Sequence, residues 1–470
     1  MAGLRTNSGT SVEGSVIDEF DVTIRGEVTR PGDDAYDESR KVFNAMIDKH
    51  PGVIVQCAGV ADVISSVNFA RSNDLLVAVR GVGHNVAGSS ICDDGMVIDL
   101  SQMKGIRTDP VGRTVRVEPG LTWGELNHDL QAFDLAATGG FISTTGVSGL
   151  TVGGGLGWLV RKHGLALDNL LSVDVVTADG RFLTASPSEN EDLFWGMRGG
   201  GGNFGIVTSF EFSVHPAGTV LAGMVIHPAA SAREAVRAWR DYEVSAPDEM
   251  TNAALLFHAP EAPFLPTESH GTAVVGLGGV YTGDLQQGED ALRPLREHGR
   301  PLADIFQPMP YIEAQTMADF LWPRGLHNYW KSGFLKDLSD AAIDTVVRFY
   351  ESVPSPLTTV VLEHNGGAMG RVGEDETAFG HRNQPYNFLV TSVWSDPAET
   401  DANVRWTREL WEAMQPFLTG SVYVNYLGEE GEDRVRAAYT PEKYERLVAL
   451  KTRYDPTNLF RLNQNIKPAG

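Results

Sequence analysis

Residues 78–90, Ala-Val-Arg-Gly-Val-Gly-His-Asn-Val-Ala-Gly-Ser-Ser, constrain this chain more than any other stretch. An apolar strand, Leu75 to Val79, runs straight into two glycines, Gly81 and Gly83. Without Cβ atoms, these let the backbone approach a bound group closely and leave N–H donors free for phosphate oxygens. Directly behind them stands His84, a side chain suited to bond formation or proton transfer near neutral pH. A phosphate-bearing cofactor seated on the glycines has His84 at its edge, which points to a flavin attached to the protein. Taken alone, a Gly-x-Gly-His reads equally as a tight turn with a structural histidine.

A second glycine segment tips that balance. Between Gly139 and Gly155, seven residues are glycine, interleaved with hydroxyl side chains and with Val147, Leu150 and Val152. The apolar residues argue for a packed segment rather than a flexible linker, and its backbone amides can line a pyrophosphate and ribityl chain. A third cluster, Gly199 to Gly205, contains Gly-x-Gly-x-x-Gly, but a helical pattern precedes it and a strand, Ile206 to Phe212, follows. A dinucleotide turn needs the reverse order, so the match carries nothing for NAD.

The 470-residue chain is long enough for two domains, each with its own core. Its formal net charge of -23 repels nucleic acid and anionic membrane surfaces, which makes both poor partners. Cys57 and Cys92 form no Cys-x-x-Cys pair and read as buried, reduced thiols. No stretch approaches a membrane span, no leader pattern opens the chain, and the histidines show no zinc-ligand spacing; a cytoplasmic location is the expectation.

From 28 to 216 the pattern alternates helix and strand with frequent glycine. A helix over 60–72 carries Val60, Val63, Ile64 and Val67 on one face, and strands are expected at 97–100, 114–118, 171–177 and 206–212 in a mixed sheet. From 217 to 420 strands such as Ala273 to Tyr281 alternate with longer amphipathic helices such as 341–353, which reads as a second domain walling a substrate site. In 421–470, Thr440 and Pro441 start a helix that Asp455-Pro456 stops, and the tail looks built to dock back on the first domain. Tyr423-Val-Asn-Tyr426 reads as a strand with its phenols on opposite faces. A core aromatic ladder is the bland account. A tyrosine base needs its pKa of ~10 lowered by a nearby cation, for which Lys331 and Arg434 are candidates.

Together these segments resemble the berberine bridge enzyme-like family of the vanillyl-alcohol oxidase superfamily. The likeness is carried by Arg80-Gly-Val-Gly-His-Asn, Thr145-Gly-Val-Ser-Gly-Leu-Thr-Val-Gly-Gly-Gly, Arg161-Lys-His-Gly-Leu-Ala-Leu-Asp-Asn-Leu, Gly199-Gly-Gly-Gly-Asn-Phe-Gly-Ile-Val, Tyr423-Val-Asn-Tyr and the tail from Tyr454. The resemblance implies an α+β fold: a PCMH-type FAD-binding domain of two α/β subdomains, then an α+β substrate domain on an antiparallel sheet. It implies FAD bonded to His84 through the flavin C8-methyl carbon.

The cofactor contacts it implies are Arg80, Gly81, Val82, Gly83, Asn85, Gly88 and Ser89 on the first loop. Thr145, Gly146, Gly149, Gly153 and Gly154 follow on the second segment, with Asn169, then Gly205, Ile206 and Val207 toward the adenine, and Asn425 and Asn465 near the C-terminus. Where many relatives add a cysteinyl bond this chain has Ile142, so one link is expected. The resemblance implies that the second tyrosine of the Tyr-x-Asn-Tyr segment, Tyr426, is the base, with Tyr423 and Lys331 beside it; the carboxylate base of the family's name-giving enzyme falls on Thr391, which cannot serve, so dehydrogenation of an alcohol is expected over ring closure. The activity implied is oxidation of an alcohol or sugar hydroxyl, with O2 or another acceptor taking the electrons. A non-covalent FAD reductase fed by a nicotinamide cofactor, or a flavin-binding protein without activity, are the alternatives. The oligomeric state is left open.

Overall fold

A computed structural model describes residues 3–470. Two sheets form the first part of the molecule. Strands Val53–Gln56, Met96–Asp99 and Val77–Arg80 run parallel, and Glu27–Thr29 pairs antiparallel at one edge. The second sheet is wholly antiparallel, in the order Ile106–Asp109, Thr114–Val117, Ile206–Ser213, Leu170–Val176, Phe182–Ala185. Helix Val60–Ser72 packs between them, with Val63 and Val67 fully buried. This apolar stripe is the 3.6-residue periodicity visible in the sequence.

An eight-stranded antiparallel sheet forms the other wall. Its central order is Thr219–Pro228, Ala273–Tyr281, Met250–His258, Thr359–His364, Tyr386–Trp394, His327–Leu335. Alternation along each strand divides the sheet into two faces. Ala254, Leu256, Val360, Leu362, Phe388 and Val390 pack under helices Ala232–Glu243, Asp340–Tyr350 and Thr400–Met414. Their neighbours Ala253, Leu255, Val361 and Leu389 face the other way, toward the first two sheets.

The second glycine segment forms helix Val147–Gly153 and then turns sharply. The close approach there is real: a Cβ on Gly157 would lie 1.7 Å from the Gly139 carbonyl oxygen. Helix Pro441–Tyr454 begins at Thr440, whose side chain accepts from the Lys443 N–H, and ends at Asp455. The tail beyond it docks on the glycine turn Gly201–Asn203: the Asn203 side chain accepts from the Ile466 N–H at 2.9 Å, and the fully buried Lys451 Nζ donates to the Asn203 carbonyl at 2.9 Å and to Asp455 at 2.7 Å. Cys57 and Cys92 are buried, and desolvation pushes each thiol up to about 12. Among the described residues no helix is long and apolar enough to cross a membrane, and no group of His, Cys, Asp and Glu is placed to hold a metal ion.

Candidate active site

A continuous cavity of about 340 Å³ lies between the glycine segments and the inner face of the large sheet. Its floor is the loop after strand Val77–Arg80. Gly81, Val82, Gly83, His84, Asn85 and Ser89 all line it, as do Thr145, Gly146 and Gly149 from the second segment and Gly205, Ile206 and Val207 from the third. Gly83 takes φ +76°, the left-handed conformation that glycine adopts without strain. The residues Gly200 to Asn203 line it too, with Leu462, Asn463 and Gln464 from the tail. The Gly-x-Gly-x-x-Gly match is thus no dinucleotide turn: a short 3₁₀ turn, Gly201–Asn203, leads into strand Ile206–Ser213.

His84 stacks on Phe43 with ring centroids 4.0 Å apart, and its Nε2 is buried without a hydrogen-bond partner among the described residues. Burial first, and then the Arg324 cation, push its pKa down to about 4, so the imidazole is neutral at pH 7. An orphaned, neutral ring nitrogen on a glycine cradle fits covalent attachment of a flavin. The glycines support that fit: a Cβ on Gly149 or Gly202 would meet nothing within 4 Å, because both face open space in the cavity.

Other expected cofactor contacts lie outside the lining, most of them for a visible reason. Arg80 is buried and donates to Asp99 at 2.6 Å, tying adjacent strand ends together. Gly88 makes room for Ile47, which a Cβ would approach to 2.7 Å. Gly153 and Gly154 make room for Asn425 and Tyr423, which a Cβ would approach to 2.0 and 2.7 Å. Asn169 is wholly engaged by the backbone of His163 and Leu165, by Thr138 and by His215. Asn465 stands next to the lining residue Gln464, and its buried Oδ1 has no hydrogen-bond partner among the described residues.

Tyr423 to Tyr426 is no strand. Residues Val424–Tyr426 form a 3₁₀ turn, so the phenols three apart share a side and meet edge to face at 4.9 Å. The Tyr423 hydroxyl accepts from the Gly155 N–H at 2.8 Å and from Asn425 Nδ2 at 2.7 Å, and burial pushes its pKa up to about 12. Asn425 also donates to the Leu150 carbonyl, which fastens the turn to the glycine helix.

Among the described residues no cation is paired with Tyr426. Its hydroxyl donates to Glu363 Oε1 at 2.7 Å, while Asn387 Nδ2 donates to Glu363 Oε2 at 2.7 Å. Burial and the facing carboxylate hold the Tyr426 phenol well above its ordinary value. Burial pushes Glu363 up to about 7 against the two hydrogen bonds that favour its charged form. Lys331 lies outside the cavity because its neighbour Trp330 faces in, and alternation turns Lys331 to the other side of the strand. There it pairs with Glu430 at 2.7 Å, as Arg434 does at 3.3 Å. Thr391 lines the cavity, its hydroxyl donating to the Thr359 carbonyl and accepting from Trp322 Nε1.

Glu363 is the site residue that sequence reasoning missed. A lone glutamate in Thr-Val-Val-Leu-Glu-His gives no local signature. The nearest signal is the alternation that makes Glu363 face the cavity with Val361 while Val360 and Leu362 face the helices.

A glycine-cradled cavity closed by an antiparallel sheet defines a flavin-dependent oxidoreductase, and comparison with known proteins agrees. The family model "FAD binding domain" matches residues 51–186, and "Berberine and berberine like" matches residues 422–467. An FAD-linked oxidoreductase of Dictyostelium discoideum is 31% identical over 458 residues, 96% of this chain and 97% of that one. The (R)-6-hydroxynicotine oxidase of Paenarthrobacter nicotinovorans is 30% identical over 466 residues, 96% of this chain and 98% of that one. The crystal structure of 6-hydroxy-D-nicotine oxidase from Arthrobacter nicotinovorans superposes with a TM-score of 0.86 at 28% identity, covering 95% of this chain and 99% of that one. A carbohydrate oxidase of Microdochium nivale is 28% identical over 470 residues, 93% of this chain and 92% of that one. The chain belongs to the berberine bridge enzyme-like family of FAD-linked oxidoreductases.

Proposed function

We propose that this enzyme oxidises an alcohol, with FAD joined to the protein through His84 alone. When bound, FAD would supply two-electron hydride-acceptor chemistry, with dioxygen or another acceptor as the final oxidant. The chain supplies the rest. His84 anchors, Gly149 leaves open space where a Cβ would stand, and Gly81, Gly83 and Gly146 line the same cavity. Tyr426 receives the substrate hydroxyl proton as its own phenol proton passes to Glu363, so no free phenolate is needed. Asn387 and the Tyr423–Asn425 pair hold that dyad in place.

The observation that carries this reading is the Tyr426–Glu363 hydrogen bond at the wall of the cavity that holds His84. Acid precipitation of the purified protein tests the attachment. Yellow colour in the pellet, with the added mass mapped to the His84 peptide, supports it; colour released to the supernatant favours a dissociable cofactor and sinks the attachment. Tyr426→Phe tests the chemistry. It is expected to slow anaerobic flavin bleaching by about 100-fold or more, and an unchanged rate removes Tyr426 from the mechanism.

A further inference from the structure

Among the described residues no hydrogen bond holds Nε2 of His84, so packing has a large part in setting the plane of its ring. Phe43, fully buried, lies against one face of the imidazole, with centroids 4.0 Å apart and planes 17° from parallel. Trp330 in turn meets Phe43 edge on, at 6.3 Å and 76°. The backbone fixes the stack: the Phe43 N–H donates to the Gly83 carbonyl at 2.9 Å, one residue before His84, and the Phe43 carbonyl accepts from the Gly325 N–H at 3.1 Å.

The next residue bolts the same loop to the large sheet. Asn44 is buried, and its side chain uses its whole hydrogen-bonding capacity. Nδ2 donates to the Val86 carbonyl at 2.9 Å and to the Asn328 carbonyl at 3.0 Å, while Oδ1 accepts from the Asn328 N–H at 2.9 Å and from the Met46 N–H at 3.1 Å. Val86 lies two residues beyond His84, and Asn328 lies on the edge strand His327–Leu335. Phe43 and Asn44 both fall outside the two matched family models. Attack on a flavin methyl carbon needs a neutral imidazole held in one orientation. By covering one face of the ring, Phe43 shares in the burial that keeps His84 neutral.

We propose that Phe43, fastened by the Asn44 junction, is a positioning residue for the attachment of FAD: it fixes the plane of the His84 ring and keeps a nitrogen free for bond formation. This rests on the reading of His84 as the anchor. In the attachment step a C–H bond of the flavin C8-methyl group and the imidazole N–H bond break, and a C–N bond forms. The two electrons left on the isoalloxazine pass, with two protons, to dioxygen, which leaves as hydrogen peroxide.

The test makes the full-length chain in a riboflavin-starved host, supplies FAD in air, and follows two quantities: total flavin bound after gel filtration, and the share that stays with acid-precipitated protein. In wild type nearly all bound flavin should become acid-stable, with the added mass on the His84 peptide. Phe43→Met fills much of the same space with a flexible chain; it should bind as much FAD and attach it about 10-fold or more slowly. Phe212→Met, at a comparably buried ring that does not line the cavity, should attach at the wild-type rate. Attachment by Phe43→Met at the wild-type rate, equal slowing in Phe212→Met, or loss of FAD binding together with attachment would each overturn the role of Phe43 and leave His84 as the anchor. Wild-type protein that binds FAD and never makes it acid-stable would instead overturn the attachment itself.

Discussion

Two ionisable groups at hydrogen-bond distance decide how protons move in this site. Burial raises Glu363 to about 7 from an ordinary 4.5, and its partner Tyr426 rises far above an ordinary phenol. A carboxyl near pH 7 is poised to accept a proton, whereas an isolated buried phenol is not. Substrate-driven flavin reduction should therefore rise with pH through about 7, and Glu363→Gln should abolish that inflection while slowing the reaction about 100-fold. Stability moves in the opposite sense. Between 4.5 and about 7 the folded enzyme keeps a proton that the unfolded chain releases, so wild-type stability falls as pH rises through this window. Urea titrations across it should show a flatter pH dependence in Glu363→Gln; an identical slope would mean that the carboxyl ionises as it does in water. None of this was legible locally. Tyr426 stands in a recognisable segment, but its partner lies 63 residues upstream on another strand. Cations such as Lys331 and Arg434 looked available only because sequence does not reveal that Glu430 holds both.

Among the secondary-structure elements, long periodic segments were readable and short polar ones were not. Strand Ala273–Tyr281 agrees with its apolar run, and helix Pro441–Tyr454 agrees with its Thr-Pro start and Asp-Pro stop. Tyr-Val-Asn-Tyr satisfies a two-residue alternation equally well, yet folds as a 3₁₀ turn because Asn425 bonds across to the Leu150 carbonyl and the Tyr423 hydroxyl. Tertiary contacts override so short a pattern. The glycine helix Val147–Gly153 permits a sharper test, because its glycines serve different ends. Gly153 accommodates Asn425, whereas a methyl on Gly149 would touch no protein atom. Gly149→Ala should fold with stability equal to wild type or higher by about 0.5–1 kcal/mol, since alanine favours a helix. The same variant should take up FAD poorly, read as the flavin-to-protein absorbance ratio. Full loading would show that Gly149 leaves room for nothing.

The whole molecule is closed by its own tail, which returns to the glycine turn that lines the cavity. The clasp is Lys451 with Asp455, both fully buried, and Asp455 also accepts from the Leu459 and Phe460 N–H groups. Removing one partner of a buried ion pair leaves an uncompensated charge. Asp455→Asn should therefore lower unfolding stability by about 3–5 kcal/mol in chemical denaturation, while Lys467→Ala, at a pair more than half exposed on the lysine side, should cost under about 1 kcal/mol. Comparable losses would show that burial of the clasp is unimportant.

The large sheet also separates two kinds of change. Residues touching the helices and residues facing the cavity alternate along the same strands, so a substitution at 253, 255, 361 or 389 alters the chamber without entering the helix-packed core or the glycine loops. Descendants of this scaffold are thus free to acquire new diets while the electron-handling apparatus stays fixed. The inward side chains of a few strands form a replaceable mould around invariant chemistry.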